Sequence, residues 1–320
     1  MIPYFDRQQI RQALPYQELI SALAEQFCQP IQAPQRHVHT ISEQPISTLL
    51  LMPVWQEGGK AGVKLVTVAP ENTAAPSVHA IFILLDARTG VPLALMDGEE
   101  LTLRRTAAAS ALASSYLSRP DSRTLLMVGT GTLIPALAAA HTVTRVFRQV
   151  QVWGRDEKKA HQCAMNIRNN PDFPSDVEVI VATDLANAAG QADVISCATT
   201  SRAPIIQGNW LKPGTHLDLV GGFRPDMREV DDTAVGRSRI AVDTYSGALS
   251  EAGDLTQPMK NGIIGRGNIL AELSELCAGK KIPTSIPGLD ITLFKSVGTA
   301  IEDLCAAELV WNQCPAQQTE

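Results

Sequence analysis

No apolar run in this 320-residue chain approaches the about 18 residues that a membrane-spanning helix requires. The opening Met1-Ile-Pro-Tyr-Phe-Asp6 has neither the basic nor the apolar region of a signal peptide. A cytoplasmic protein with no membrane partner is therefore expected. Cysteine is sparse: Cys28, Cys163, Cys197, Cys277, Cys305 and Cys314 form no CxxC and no framework of short spacings, which reads as reduced thiols. A metal-ligand cluster is also lacking, because the six histidines are scattered and His37 and His39 have no cysteine or carboxylate at chelating spacing. No metal is expected. Nor is there an excess of positive charge. Lys and Arg number 27 against 33 Asp and Glu, and the net charge of −6 argues against nucleic acid or an anionic membrane as the main partner. Internal repeats and low-complexity segments are missing too.

What is present is the composition of a soluble globular protein, 45% hydrophobic and 19% charged, in a chain long enough for two domains. Its organising stretch is Leu125-Leu-Met-Val-Gly-Thr-Gly-Thr-Leu-Ile134, followed about twenty residues later by Val150-Gln-Val-Trp-Gly-Arg-Asp156. A buried strand, a tight turn at Gly129-Thr-Gly131 and a small-residue helix are the opening of a dinucleotide-binding βαβ unit. Gly129 suits the turn. Gly131 lets backbone N–H groups approach a pyrophosphate at the positive end of the helix, so Gly129, Thr130, Gly131, Thr132 and Leu133 are the candidate phosphate loop. The third glycine of the fingerprint is replaced by Ile134. At the end of the second strand, where an acidic residue would read a ribose hydroxyl, stand Gly154, Arg155 and Asp156, with Lys158 and Lys159 close behind. A guanidinium there suits a 2′-phosphate, which favours NADP(H), with NAD(H) as the alternative.

The rest of the chain divides around this unit. Asp6-Arg-Gln-Gln9 reads as a capping box that starts a short helix, interrupted by Pro15 and followed by a second helix over Gln17 to Phe27. Short β-type runs follow at His37 to Ile41, Ser47 to Met52, Gly62 to Val68 and Ala80 to Leu85. The alanine-rich stretch from Leu101 to Leu117 reads as a helix crossing between domains. Strands are expected near 124–128, 150–153, 177–181, 193–197, 216–220 and 239–242, with helices at Glu157 to Asn169 and Ile269 to Ala278. After an extended run at Asp290 to Phe294, an amphipathic helix over Val297 to Trp311 is expected to pack back on the first domain. The expected fold is α/β: a Rossmann-type dinucleotide-binding domain over 119–294, plus a discontinuous α+β substrate and dimerisation domain made of 1–118 with 295–320.

Three cations stand out by their settings. Arg36 follows Pro34 just before a strand. Alternation puts Lys64 on one face with Gly62 and Val66, and Arg105 lies among alanines, where burial would demand a partner. Converging on a cleft, they would hold a small carboxylate. Thr199 and Thr200 follow a strand at its carboxyl end, where an open α/β sheet binds its ligand.

Arg36, Lys64-Leu-Val-Thr-Val-Ala-Pro70-Glu-Asn72, Met96-Asp-Gly98, Leu101-Thr-Leu-Arg-Arg-Thr-Ala-Ala108 and Tyr116-Leu-Ser-Arg-Pro-Asp-Ser122 resemble the ornithine cyclodeaminase/mu-crystallin family. So do Val220-Gly-Gly-Phe-Arg-Pro-Asp-Met-Arg-Glu229, Glu251-Ala-Gly-Asp-Leu255 and Phe294-Lys-Ser-Val-Gly298. The resemblance spans nearly the whole chain and looks most like the bacterial Δ1-pyrroline-2-carboxylate reductase branch. It implies a homodimer in which Arg36, Lys64 and Arg105 occupy carboxylate-binding and catalytic positions. It also implies that Thr199, Thr200, Val220, Ser296 and Gly298 lie near the cofactor. His79 aligns loosely with a cofactor-proximal position and reads better as structural. The family's cyclodeaminases carry an aspartate where this chain has Phe223, a side chain that packs against a ring but cannot orient an ammonium group. The implied activity is NAD(P)H-dependent reduction of a cyclic imino acid, Δ1-pyrroline-2-carboxylate or Δ1-piperideine-2-carboxylate, to L-proline or L-pipecolate. Lys64 is the candidate acid, directly or through water, or else a further carboxylate ligand. The alternatives are an ornithine cyclodeaminase and a non-catalytic NADP-dependent binding protein of mu-crystallin type.

Overall fold

The computed structural model describes residues 1–74, 76–283, 288 and 290–314, and they group into two compact units. The first comprises 1–106 and the residues from 299 onward. The second comprises 107–298.

The first unit opens with β1 (Tyr4–Phe5), α1 (Arg7–Ala13) and α2 (Tyr16–Gln26). Asp6 caps α1 through the capping box, with its side chain on Gln9 N and the Gln9 side chain on its own N–H. β2 (Ile31–Gln32), β3 (His37–Glu43), β4 (Ile46–Gln56), β5 (Lys60–Val68), β6 (Val78–Asp86) and β7 (Pro92–Asp97) follow. They form a seven-stranded sheet in the order β1-β7-β6-β5-β4-β2, with β3 also paired to β4. All pairings are antiparallel except β1 with β7. Gly62 and Lys64 share the buried face of β5, as alternation requires. A Cβ at Gly62 would run into the Phe82 ring on β6, so only glycine lets these strands pack there. β7 is absent from the strand expectations above. Its Ala94 and Met96 are fully buried on one face, so it belongs to the core.

From β7 the chain enters α3 (Gly98–Leu117). The division between the compact units falls inside this helix, between Thr106 and Ala107. The reason is local. Arg104 and Arg105 make their contacts in the first unit, whereas the last turn is held in the second by Arg145 Nη2 on the carbonyls of Ser115 (2.8 Å) and Ser118 (2.9 Å).

The second unit is built on β8 (Thr124–Val128), α4 (Leu133–Thr144), β9 (Gln149–Trp153), α5 (Glu157–Arg168), β10 (Glu178–Val181), α6 (Leu185–Gln191), β11 (Val194–Cys197), β12 (His216–Leu219), α7 (Asp232–Gly236) and β13 (Ser238–Val242). It continues through α8 (Tyr245–Glu251), α9 (Gly253–Lys260), β14 (Ile269–Glu272), α10 (Leu273–Cys277) and β15 (Ile291–Lys295). The eight strands are parallel throughout, in the order β10-β9-β8-β11-β12-β15-β13-β14. The order runs outward in both directions from β8, which puts a topological switch point between β8 and β11. Central strands buried on both faces, such as Val194 to Cys197, explain the continuous apolar runs. Each fully buried aliphatic side chain contributes about 1.5–3 kcal/mol.

Two expectations need correction here. Ile269 to Ala278 is not one helix: Ile269–Glu272 pairs in parallel with β13, and only Leu273–Cys277 is helical. The run Asp290 to Phe294 is more than a returning extended segment, since β15 lies between β12 and β13 inside the sheet.

The chain ends its described course with α11 (Ala300–Gln313), which belongs to the first unit. It packs against α2 and against β4, β5 and β6. It starts at Ala300, not Val297, because Gly298 has φ +81° and Thr299 caps the helix.

Candidate functional site

In the first unit the sequence candidates Lys64 and Arg105 meet two acids from α11. Lys64 Nζ lies 2.8 Å from the Asp303 carboxylate. Arg105 donates from Nε to Asp303 Oδ1 at 2.9 Å and from Nη1 to Glu302 Oε2 at 2.5 Å. Lys64 is 2% exposed, Arg105 4%, and both acids are at 0%. Two cations against two anions in a dry interior satisfy the demand that buried charges be paired.

Burial, then the Arg105 charge, push the Lys64 ammonium down to about 8, against the attraction of Asp303. The charge of half-buried Arg36 adds to that depression, which ties Arg36 electrostatically to the cluster. Burial would raise Asp303, but Arg105 and Lys64 outweigh it and hold the carboxyl below its usual range. The neighbouring Arg104 is turned elsewhere, its Nε on Leu14 O at 2.8 Å and its guanidinium 4.3 Å from the centre of the Tyr16 ring. Of the arginine pair in the motif, Arg104 packs against the end of α1 and the start of α2, and Arg105 joins the charge cluster.

The sequence reading missed Glu302 and Asp303, which look like the polar face of an amphipathic helix. Arg105, expected to converge with the other cations on a small carboxylate, already has Nε and Nη1 engaged by these acids. The exposed His79 lies 3.3 Å from Glu99 and has no part in this cluster.

In the second unit the phosphate-loop candidates stand at the switch point. Gly129 has φ +129°, its N–H donates to Trp153 O at 2.9 Å, and a Cβ there would come within 2.7 Å of Ala198 O. Only glycine fits between β8 and β11. Gly131 differs: a Cβ there would meet nothing within 4 Å, so the loop leaves open room above the start of α4. Thr132 gives α4 no side-chain cap, and Leu133 begins the helix. The start of a twelve-residue helix with room in front of it fits the diphosphate of a dinucleotide. Ile134, in place of the third glycine, is fully buried, and its Cδ1 would be 3.3 Å from a Cβ at Gly129.

Gly154 backs onto Thr130, whose methyl occupies the place of a Cβ. Arg155, Asp156 and Lys159 are exposed, and Asp156 caps α5 by accepting from Lys159 N at 3.2 Å. Thr199 and exposed Thr200 follow β11, with Thr199 N donating to Glu229 Oε1 at 2.7 Å. Val220 is buried behind the end of β12, and Phe223 is 44% exposed. Ser296 and Gly298 are committed inward: Gly298 N donates to Asp243 Oδ2 at 2.7 Å and Ser296 Oγ at 3.2 Å. Of the acids that follow Phe223 in the chain, Asp226 accepts from Arg224 Nε and Nη2, each at 3.0 Å. Asp231 caps α7 through Ala234 N. Among the described residues no group of His, Cys, Asp and Glu could hold a metal ion, and no helix is long and apolar enough to cross a membrane.

Comparison with known proteins gives these features a family. The family model described as ornithine cyclodeaminase/mu-crystallin matches residues 6–318. An uncharacterised protein of Schizosaccharomyces pombe is 44% identical over 319 residues, covering 96% of each chain. A Δ1-pyrroline-2-carboxylate reductase of Colwellia psychrerythraea is 37% identical over 311 residues, covering 95% of this chain and 96% of its own. Among solved structures, that of Thermococcus litoralis Δ1-pyrroline-2-carboxylate reductase in complex with NADH and L-proline superposes with a TM-score of 0.90. It is 33% identical and covers 98% of both chains. The chain belongs to the ornithine cyclodeaminase/mu-crystallin family.

Proposed function

We propose that the protein is an NAD(P)H-dependent ketimine reductase that converts Δ1-pyrroline-2-carboxylate, Δ1-piperideine-2-carboxylate or both to L-proline or L-pipecolate. The observation that carries this reading is the Lys64 ammonium, buried and depressed to about 8 beside Arg105. Reduction of a C=N bond needs a hydride at carbon and a proton at nitrogen. A side chain whose pKa lies near working pH is suited to give the proton.

Gly129 to Leu133 would hold the diphosphate of a nicotinamide dinucleotide, which would supply the hydride. Arg36 and the outer face of Arg105 take the substrate carboxylate by charge-assisted hydrogen bonds. Asp303 holds Lys64 in place, and Lys64 delivers its proton to the imine nitrogen. Exposed Phe223 offers ring-packing surface where a cyclodeaminase would have a carboxylate to handle a free ammonium group, and the next acid along the chain, Asp226, is already paired with Arg224. Arg155 and Lys159, both exposed, favour NADPH over NADH by pairing with a 2′-phosphate. A homodimer suits the apolar hairpin of the first unit, where Val38, Ile41 and Ile46 are 60%, 56% and 52% exposed.

NADPH carrying deuterium at both C4 positions tests the chemistry. Incubation with Δ1-pyrroline-2-carboxylate should give L-proline labelled at C2. Proline without label at C2, or no proline, contradicts the proposal.

A further inference from the structure

A second buried charge cluster lies in the second unit and takes no part in the chemistry above. Glu229, Asp254 and Lys295 are all at 0% exposure. Lys295, the last residue of β15, has its Nζ 3.3 Å from Asp254 Oδ2 and donates to Gly221 O. Asp254, in the first turn of α9, accepts at Oδ1 from the backbone N–H groups of Glu229 (2.7 Å) and Val230 (3.1 Å). Glu229 Oε1 accepts from Thr199 N at 2.7 Å, and its Oε2 is buried with no hydrogen-bond partner among the described residues. The three side chains thus tie together the segments leaving β11, β12 and β15, three adjacent strands at their carboxyl ends.

The cluster explains the glycine pair above it. A Cβ on Gly221 would run into Glu229 Oε1 and Thr199 O. One on Gly222, where φ is +51°, would run into Asp254 Oδ2. The turn therefore rests directly on the two carboxylates, and the next residue it sets out is Phe223. Burial, with Asp254 adding to it and Lys295 opposing, holds the Glu229 carboxyl above its ordinary range. A neutral Glu229 leaves one ammonium facing one carboxylate, a balanced set for a dry interior.

We propose that Glu229, Asp254 and Lys295 are positioning residues which fix the Gly221–Gly222 turn and Thr199, and so determine how Phe223 meets the substrate ring. The contact of Phe223 with substrate rests on the ketimine-reductase reading; the control of the turn does not.

The test compares wild type, Glu229→Ala and Glu229→Gln, each with and without Phe223→Ala. Amide hydrogen exchange is read over 197–201 and 219–224, together with KM and kcat for Δ1-pyrroline-2-carboxylate. Glu229→Ala should speed exchange in both segments roughly 10-fold while the strands of the first unit keep wild-type rates. It should raise KM roughly 5-fold with kcat within about 2-fold, and by less than about 2-fold once Phe223 is alanine, because both changes then act through one contact. Glu229→Gln, which keeps an oxygen for Thr199 N–H, should restore most of the protection. If Glu229→Ala does not fold, Asp254→Asn takes its place with the same expected directions. Unchanged exchange in both segments, or KM effects that multiply in the double variant, overturns the proposal. If wild type does not reduce the imine, the functional reading fails, and the exchange arm alone decides whether the cluster positions the turn.

Discussion

Lys64 and Asp303 are 239 residues apart in the chain and 2.8 Å apart in the fold. A strand from one end of the sequence and a helix from the other meet there, and Arg105 shares the same carboxylate. The Lys64 ammonium is thereby kept ordered without being locked in its charged form, because burial and Arg105 offset the pull of Asp303.

The pH dependence follows from that balance. Lys64 is depressed to about 8, so its proton-donating form prevails below that pH and is lost above it. The kcat for imine reduction should be level below pH about 8 and then fall, approaching tenfold per unit. Asp303 raises the Lys64 pKa, so Asp303→Asn should move the fall to lower pH. A wild-type profile flat to pH about 9.5 would show that Lys64 is not the acid.

Arg36 and Arg105 should separate on mutation. Loss of a charge-assisted contact to substrate costs roughly 1.5–3 kcal/mol, so Arg36→Ala should lower kcat/KM about 10- to 150-fold with little change in Tm. Arg105→Ala removes the partner of two fully buried carboxylates. It should also lower stability by about 3–5 kcal/mol, visible in urea unfolding. An Arg105→Ala protein of wild-type stability would mean that the acids do not depend on it.

Arg155 is expected to read the 2′-phosphate. At an exposed rim the contact is screened, so NADPH should bind roughly 10-fold tighter than NADH, and the gap should narrow as salt rises. Arg155→Ala should close most of that gap by weakening NADPH alone. Isothermal titration giving equal wild-type affinities, or a variant that loses both nucleotides together, removes Arg155 from the site.

Glu229 should leave a mark on stability. Its carboxyl, ordinarily near 4.5, is raised in the fold chiefly by burial. From the ordinary value up to the raised one the folded protein keeps a proton that the unfolded chain releases, so this group's contribution declines as pH rises through that window. Glu229→Gln should flatten the decline of Tm from pH about 5 upward relative to wild type. Parallel curves for the two proteins would mean that Glu229 is not held protonated.

Much of the second unit is legible in the sequence because local signals agree there. The apolar runs Leu125 to Val128 and Val150 to Trp153, the obligatory Gly129 and the capped start of α5 each act within a few residues. Ile269 to Ala278 defeats the same method. Apolar residues at 269, 270, 273 and 276 satisfy a helical period, and only pairing with β13 makes the first four a strand. Lys64 and Arg105 stand out because cations in apolar texture need partners. Glu302 and Asp303 do not stand out, because acids on a helix face look solvated until the residues 197 and 239 positions away are placed on them. The Gly221–Gly222 pair is visible as a motif, but its cause, two carboxylates beneath the turn, is a property of the fold alone.

The central claim is imine reduction and not ammonia loss, and one paired assay tests it most directly. The purified protein is given NADPH with Δ1-pyrroline-2-carboxylate in one arm and L-ornithine with nucleotide in the other, and NADPH oxidation and ammonia release are followed side by side. Steady NADPH oxidation with the imine and no ammonia from ornithine is the predicted result. Ornithine converted to proline with release of ammonia at comparable efficiency would contradict it, as would an imine arm that stays silent while both ligands bind.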